Sequence, residues 1–214
     1  MNQIPESVYL YRLIHIDNLE LYLKRQALHA PNYNPSDRLV YRTIHSVEIQ
    51  DRRARYQLPC GPGGTLHDYV PFYFGYHSPM LFKLWKGTVN GYSEGQEPLI
   101  YLVSSIGQIV QAGCQWLFSD GQGNSCLTSW FDCLDDLISV DMNAVKIKQW
   151  KKLEDPDLTR RKQAEFLVYQ SCPWDCIKWI FVYNSNTKSR VRQTLMQYPM
   201  LFEPIVKIWP KAYY

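Results

Sequence analysis

Three short stretches of this chain carry side chains whose types and spacing suit chemistry. The first is Arg160-Arg161-Lys162-Gln163-Ala164-Glu165, followed at once by the apolar run Phe166, Leu167 and Val168. Read as a strand over residues 161–169 with a polar start, alternation puts Gln163 and Glu165 on one face. A carboxylate at the mouth of a buried strand, with an amide two residues before it, can hold a sugar hydroxyl. It can equally be an edge-strand acid paired with a nearby arginine. The second stretch is Arg52, Arg53 and Arg55. Planar guanidinium forks are strong phosphate ligands, and the same pattern also describes a solvated helix face. The third is the aromatic run with His67, Asp68, Tyr69 and Tyr73, which offers a stacking floor for a flat ring or simply a core strand.

Other chemistries find less support. The glycines of Pro59-Cys60-Gly61-Pro62-Gly63-Gly64 lack the GxxxxGK[ST] order of a nucleotide-triphosphate loop, and no GxSxG elbow occurs. His15, followed by Asp17 and Asn18, reads on its own as a structural histidine at a strand end. The six cysteines are Cys60, Cys114, Cys126, Cys133, Cys172 and Cys176. Cys172 and Cys176 have no second pair to complete a zinc site, so no metal is expected. The thiols are expected to be reduced and mostly buried.

These residues need elements to position them. VYLYRLIHI, residues 8–16, reads as a first strand, and Asp17 as the cap of a helix carrying LELYLKRQAL. HAPNYNPSDR, from His29, reads as an ordered loop, and residues 44–56 as a short helix bearing the arginines. An aromatic strand follows through Tyr69, Phe72, Tyr73 and Phe74. PLIYLVSSI (98–106), CQWLFSD, residues 161–169, WIFVYN (179–184) and PIVKIW (204–209) read as further strands. SRVRQTLMQY reads as a late helix. Strands and helices out of regular alternation indicate an α+β class.

Length and composition bound the answer. The 214 residues fit one domain at roughly 150 residues per domain. A hydrophobic share of 46% with 20% charged residues argues against extensive disorder. No apolar run reaches the roughly 18 residues of a transmembrane helix, and the first residues lack the pattern of a secretory signal. The net charge of +3 is uneven: Lys146 to Arg192 holds eleven Lys and Arg against five Asp and Glu. That excess suits a phosphate-bearing partner, or a solvated surface.

Taken in order, YRLIHIDNL, IQDRRAR, GPGGTLHDYVPFYFGYHSPML, GQEPLIYLVSS and RKQAEFLV closely resemble the DarT family of bacterial DNA ADP-ribosyltransferase toxins, from about Tyr9 to the closing WPKAYY. The resemblance implies a PARP-like ADP-ribosyltransferase fold over residues 1–214, with a split antiparallel β-core and flanking helices. It implies NAD as co-substrate and ADP-ribose transfer to thymine in single-stranded DNA, in a sequence-dependent way. Glu165 matches the family's catalytic glutamate, in a Gln163-Ala164-Glu165 arrangement similar to other ADP-ribosyltransferases. Arg53 matches its functional arginine, expected to bind NAD or the target base and favour loss of the thymine ring proton.

Arg12, His15, Asn18, Arg52, Tyr69 and Tyr73 become expected NAD contacts, with Arg55 a helper. The loop from His29 to Arg42, with Tyr33, would cover the adenosine end. Tyr76, His77, Met80, Arg160, Arg161, Lys162 and Gln163 become expected DNA contacts, the last four from the loop LEDPDLTRRKQ. Arg12 departs from the family, where many relatives carry His. A macrodomain antitoxin, DarG, is the implied partner, with a monomeric, cytoplasmic protein free of membrane. The same fold also admits guanine, RNA or protein as acceptor, or an inactive NAD- or DNA-binding module.

Overall fold

The computed structural model describes residues 8–150, 154–199 and 202–214. Leu153, which opens the expected DNA loop, lies outside them. In chain order the strands are β1 (Tyr9–His15), β2 (Ala27–His29), β3 (Tyr69–Tyr73), β4 (Leu99–Ser105), β5 (Trp116–Ser119), β6 (Trp130–Phe131), β7 (Glu165–Tyr169), β8 (Ser171–Pro173), β9 (Trp179–Val182) and β10 (Ile205–Ile208). The helices are α1 (Leu19–Arg25), α2 (Val47–Arg55), α3 (Pro79–Trp85), α4 (Ile106–Gln111), α5 (Met142–Lys146), α6 (Leu158–Arg161) and α7 (Ser185–Met196). One eight-stranded sheet runs β10-β9-β4-β1-β3-β7-β5-β6, and β2 pairs with β8 in a small second sheet. Every pairing is antiparallel except β10 with β9. The α+β class therefore holds.

The sheet is positioned by strands covered on both faces. All seven residues of β4 are buried. Ile100 and Leu102 pack into one cluster with Leu10, Ile14, Phe72, Phe166 and Val168. Leu99, Tyr101 and Val103 pack into another with Tyr11, Leu13 and Tyr213. Alternation thus feeds two cores from one strand. Registers Tyr11 with Tyr73 and Tyr73 with Glu165 tie β1, β3 and β7 into one frame.

Helix α2 is polar, and Arg53 is its buried residue. Good helix formers, Glu48 in its first turn and arginines in its last, match the helix dipole. Ser78 caps α3, its Oγ accepting from Leu81 N at 3.1 Å with Pro79 in the first turn.

Some sequence expectations shift. Asp17 does not cap α1. Strand β1 continues to His15, whose Nδ1 accepts from Asp17 N and opens a 3₁₀ turn at Ile16–Asn18. Residues 27–29, expected as helix end and loop, form β2 because they find β8 as a partner. The strand expected over residues 161–169 begins only at Glu165. Asp157 holds Arg160 and Arg161 at helical spacing, so α6 forms first. Only Cys172 and Cys176 are buried, while Cys126 and Cys133 are exposed. No helix among the described residues is long and apolar enough to cross a membrane.

Candidate active site around Glu165 and Arg53

Glu165 opens β7 with 2% of its surface exposed, directly across from Tyr73 on β3. Arg53 reaches it from α2: Nη1 donates to Oε1 at 2.9 Å, and Nη2 lies 2.9 Å from Oε2. The second contact lacks hydrogen-bond alignment, so Nη2 is a buried donor with no hydrogen-bond partner among the described residues. Burial works against the Arg53 cation, but the Glu165 charge and hydrogen bond outweigh it and raise its pKa. Burial, then the same carboxylate, push the Tyr73 phenol well up, so it stays protonated.

A third element closes on the pair. Gly123 N, from the loop between β5 and β6, donates to Glu165 Oε1 at 3.3 Å. Oε1 is thus held twice, while among the described residues Oε2 has only the misaligned Arg53 contact. Ser119 Oγ accepts from Glu165 N at 3.1 Å and donates to Gly121 O at 2.7 Å. The loop is pinned further by Arg160, whose Nη1 donates to Asp120 at 2.8 Å and whose carbonyl accepts from Gln122 N at 3.0 Å.

The expected site residues separate into groups. Arg53 and Tyr73 meet Glu165. Arg12 joins their neighbourhood: its Nη1 donates to Pro71 O on β3 at 2.9 Å, and its buried Nε has no hydrogen-bond partner among the described residues. His15 and Asn18 build a different cluster. His15, 1% exposed, sits 3.3 Å from Asp17 and 3.6 Å from Glu94. Both amide atoms of Asn18 bond the Arg42 backbone, at 2.9 and 2.7 Å, and so anchor the end of the 29–42 loop. Tyr69 lies at the far end of β3, opposite Tyr169, with its hydroxyl on Gly63 O at 2.7 Å. Tyr33 reaches the Tyr169 hydroxyl at 3.2 Å.

The residues expected to meet DNA are mostly engaged inside the protein. Arg160 bonds Asp120 and Asp157, and Arg161 pairs with Asp141, Asp155 and Asp157. Lys162 is 3% exposed, with Nζ on the carbonyls of Val145 and Ile147. Burial lowers its pKa to about 8. Gln163 sits before the strand and donates to Thr159 O at 2.9 Å, so it does not share the Glu165 face. His77 is buried between Tyr76 and Tyr214, with ring centroids 4.7 and 5.4 Å away. Burial, then Lys148 and Lys162, lower its pKa to about 4. Tyr76 and Met80 pack on the second core cluster. Arg52 and Arg55 are exposed and border a shallow cavity beside the Glu165 loop.

A family model described as "ssDNA thymidine ADP-ribosyltransferase, DarT" matches residues 11–214. The chain belongs to the DarT family. It is 40% identical over 210 residues to a DNA ADP-ribosyl transferase of Thermus sp. (strain 2.9), with 98% of each chain covered. It superposes on Thermus sp. 2.9 DarT in complex with ADP-ribosylated ssDNA with a TM-score of 0.92 and 38% identity, covering 100% of this chain and 99% of that one. The same Thermus protein in complex with NAD+ superposes with a TM-score of 0.88 at 37% identity, covering 99% and 100%. The ADP-ribosyltransferase fold is therefore that of DarT, built here on a mostly antiparallel sheet.

Against the DarT frame, the sequence reading missed the end of β5 and the loop after it, residues 119–124. Its contributions are a hydroxyl and a backbone N–H, which leave little trace in residue types. The trace that exists is Gly121 and Gly123. A Cβ on Gly121 would stand 2.4 Å from Arg160 Nη1, and one on Gly123 3.1 Å from Glu165 Oε1. Close approach favours glycine there: a side chain at 121 would displace Arg160, and one at 123 would press on Glu165.

Proposed function

We propose that this DarT-family chain transfers the ADP-ribosyl group of NAD+ to a ring nitrogen of thymine in single-stranded DNA. The family description and the relatives' names support the reaction, and the relatives' complexes with NAD+ and with ADP-ribosylated ssDNA support both substrates. The observation that carries it on this chain is the Glu165–Arg53 pair. It leaves an acceptor, Oε2, and a donor, Arg53 Nη2, side by side in a buried place. These atoms fit the ribose of NAD+: Oε2 accepts from the 2′-hydroxyl, and the carboxylate charge stabilises an oxocarbenium-like transition state.

In the reaction the bond between ribose C1′ and the nicotinamide nitrogen breaks, and its electron pair leaves with neutral nicotinamide. The thymine nitrogen bonds C1′ and releases its proton to solvent. Arg53, held cationic by Glu165, favours the deprotonated ring beside it. A paired thymine hides that nitrogen in the stack, so an unpaired strand is the substrate. Arg12 and Tyr73, next to the pair, are assigned to NAD+, and His15 and Asn18 to the loop that borders it.

The remaining reading is biological. DNA modified in this way is harmful to the cell, so the chain acts as a toxin, one domain over residues 1–214, monomeric and cytoplasmic. Its partner is a macrodomain antitoxin that removes ADP-ribose. The test is incubation of purified protein with labelled NAD+ and short single-stranded oligonucleotides with or without thymine, read by mass spectrometry. An added ADP-ribose that needs both thymine and Glu165 is the expected result. Transfer to thymine-free strands, to RNA or to protein moves the acceptor, and an active Glu165→Ala protein overturns the mechanism.

A further inference from the structure

Helix α2 points its arginines two ways. Arg53 turns inward to Glu165, while Arg52 and Arg55 face solvent, and neither guanidinium has a hydrogen bond or ion pair among the described residues. Arg25, Arg42, Arg160 and Arg161 all hold carboxylates. The two unpaired cations border a shallow cavity of about 370 Å³, together with Asp51, Tyr56 and Asn124. That volume lies within the roughly 300–1,000 Å³ of ordinary ligand sites. Tyr56 is half-buried, its hydroxyl fixed by Trp130 Nε1 at 3.2 Å, so one ring is presented in a set orientation. Asn124 follows Gly123, whose N–H holds Glu165. The cavity and the reacting centre therefore share both a helix and a loop.

The side of Glu165 on which the cavity lies decides its occupant. The sheet order places β1 and β3 on one side of β7, and β5 and β6 on the other. Arg12 and Tyr73, assigned to NAD+, belong to β1 and β3. The cavity is bordered by the loop between β5 and β6. A displacement at C1′ brings the acceptor from the side away from the leaving group, so the β5–β6 side belongs to the acceptor strand.

We infer that this cavity binds the nucleotide next to the modified thymine: Arg52 and Arg55 hold its phosphate, Tyr56 stacks its base, and Asp51 with Asn124 read the base edge. Two guanidinium forks supply phosphate contacts without sequence preference. An aromatic ring accepts any base by its face. Asp51 only accepts hydrogen bonds, whereas Asn124 both donates and accepts, so the pair favours a base edge that offers a donor. Sequence dependence would then arise one nucleotide away from the chemistry. The inference rests on the proposed DNA activity.

The test uses the double variant Arg52→Ala/Arg55→Ala, both residues exposed on a helix whose buried contact is Arg53. Transfer to a thymine oligonucleotide is measured against strand concentration, NAD+ concentration and salt. The expected result is an oligonucleotide KM raised about tenfold or more, a salt dependence shallower by about one charge per lost phosphate contact, and an unchanged NAD+ KM. Asn124→Ala should alter preference in a library randomised at the neighbouring positions.

An unchanged oligonucleotide KM and salt slope would overturn the assignment, and a raised NAD+ KM would give the cavity to the dinucleotide instead. If the wild-type protein modifies no DNA, the activity reading fails, and fluorescence-anisotropy binding of the same oligonucleotide still decides the cavity. Weaker binding by the double variant supports it, and equal binding overturns it.

Discussion

Residues 52–55 and residues 160–162 each gather three cations within a few positions, and the fold uses them in opposite ways. Around Arg160 and Arg161 stand Asp120, Asp141, Asp155 and Asp157, so both guanidiniums are neutralised locally and fasten loops to one another. Lys162 is folded inward onto carbonyls. On α2, among the described residues, only Arg53 finds a carboxylate, the buried Glu165, and its two neighbours remain exposed. The density of acids within reach, not the density of cations, separates a structural basic cluster from one available to a phosphate. The basic excess between Lys146 and Arg192 therefore overstates the charge that this region offers to DNA.

The largest effect comes from the one pair that is both structural and chemical. Glu165→Gln keeps the shape but removes the charge that stabilises the ribosyl cation. Transfer of labelled ADP-ribose is expected to fall by about 10³-fold. Glu165→Ala adds a stability defect, because Arg53 is left buried without its carboxylate, at a cost of about 3–5 kcal/mol. Adding Arg53→Met should recover most of that stability with no recovery of activity. Transfer within tenfold of wild type by a folded Glu165→Gln protein would remove Glu165 from the chemistry.

Arg160 tests the other cluster. Arg160→Ala releases Asp120 and Asp157 and loosens the loop that carries Gly123. Unfolding free energy is expected to drop by about 1–3 kcal/mol and kcat to fall, while the salt dependence of oligonucleotide binding stays as in the wild type. A slope reduced by about one would show that Arg160 meets phosphate after all and would erase the contrast with Arg52 and Arg55.

The strand order of types was legible because alternating and continuous apolar runs such as YLYRLIH and LIYLVSS report burial directly. Glu165 and Arg53 were legible through the family resemblance; local spacing alone left each with two readings. Partners across the chain were not legible. Nothing near Arg160 in sequence announces Asp120, and the residues around His77 do not announce that Tyr214 covers it. Strand spacing also placed Gln163 beside Glu165, because the pairing of Asp157 with Arg160 and Arg161 that turns this stretch into α6 is a side-chain effect that periodicity does not carry.

His77 sharpens the picture of an internal cluster on that side. Its pKa of about 4, set by burial and then by Lys148 and Lys162, lies below the ordinary value of 6.5. The unfolded chain therefore binds the proton more readily, and stability present near neutrality is lost as pH falls through 6.5 toward 4. Between pH 7 and pH 5 the wild type should lose about 1–2 kcal/mol more than His77→Leu, measured by chemical denaturation at each pH. Equal losses would mean that His77 takes up its proton in the folded state, as an exposed DNA contact would.

Lys162 gives the smallest effect, with the same sign of pH dependence as His77 but in an alkaline window. Its pKa falls from 10.5 to about 8 by burial. Between those values the unfolded chain holds the proton and the folded chain does not, so stability rises with pH. Burial raises the Cys60 thiol above 9.0, the Cys176 hydrogen bond and then burial raise that of Cys114, and at Cys176 the lowering by the Cys114 hydrogen bond is outweighed by the Cys172 hydrogen bond and burial, so these groups withdraw stability above that pH. The clean window therefore runs from pH 7.5 to pH 9. There the wild type should gain about 1 kcal/mol relative to Lys162→Met, with oligonucleotide KM unchanged in the variant. A flat difference across the window, with weaker oligonucleotide binding, would return Lys162 to the set of cations that face DNA.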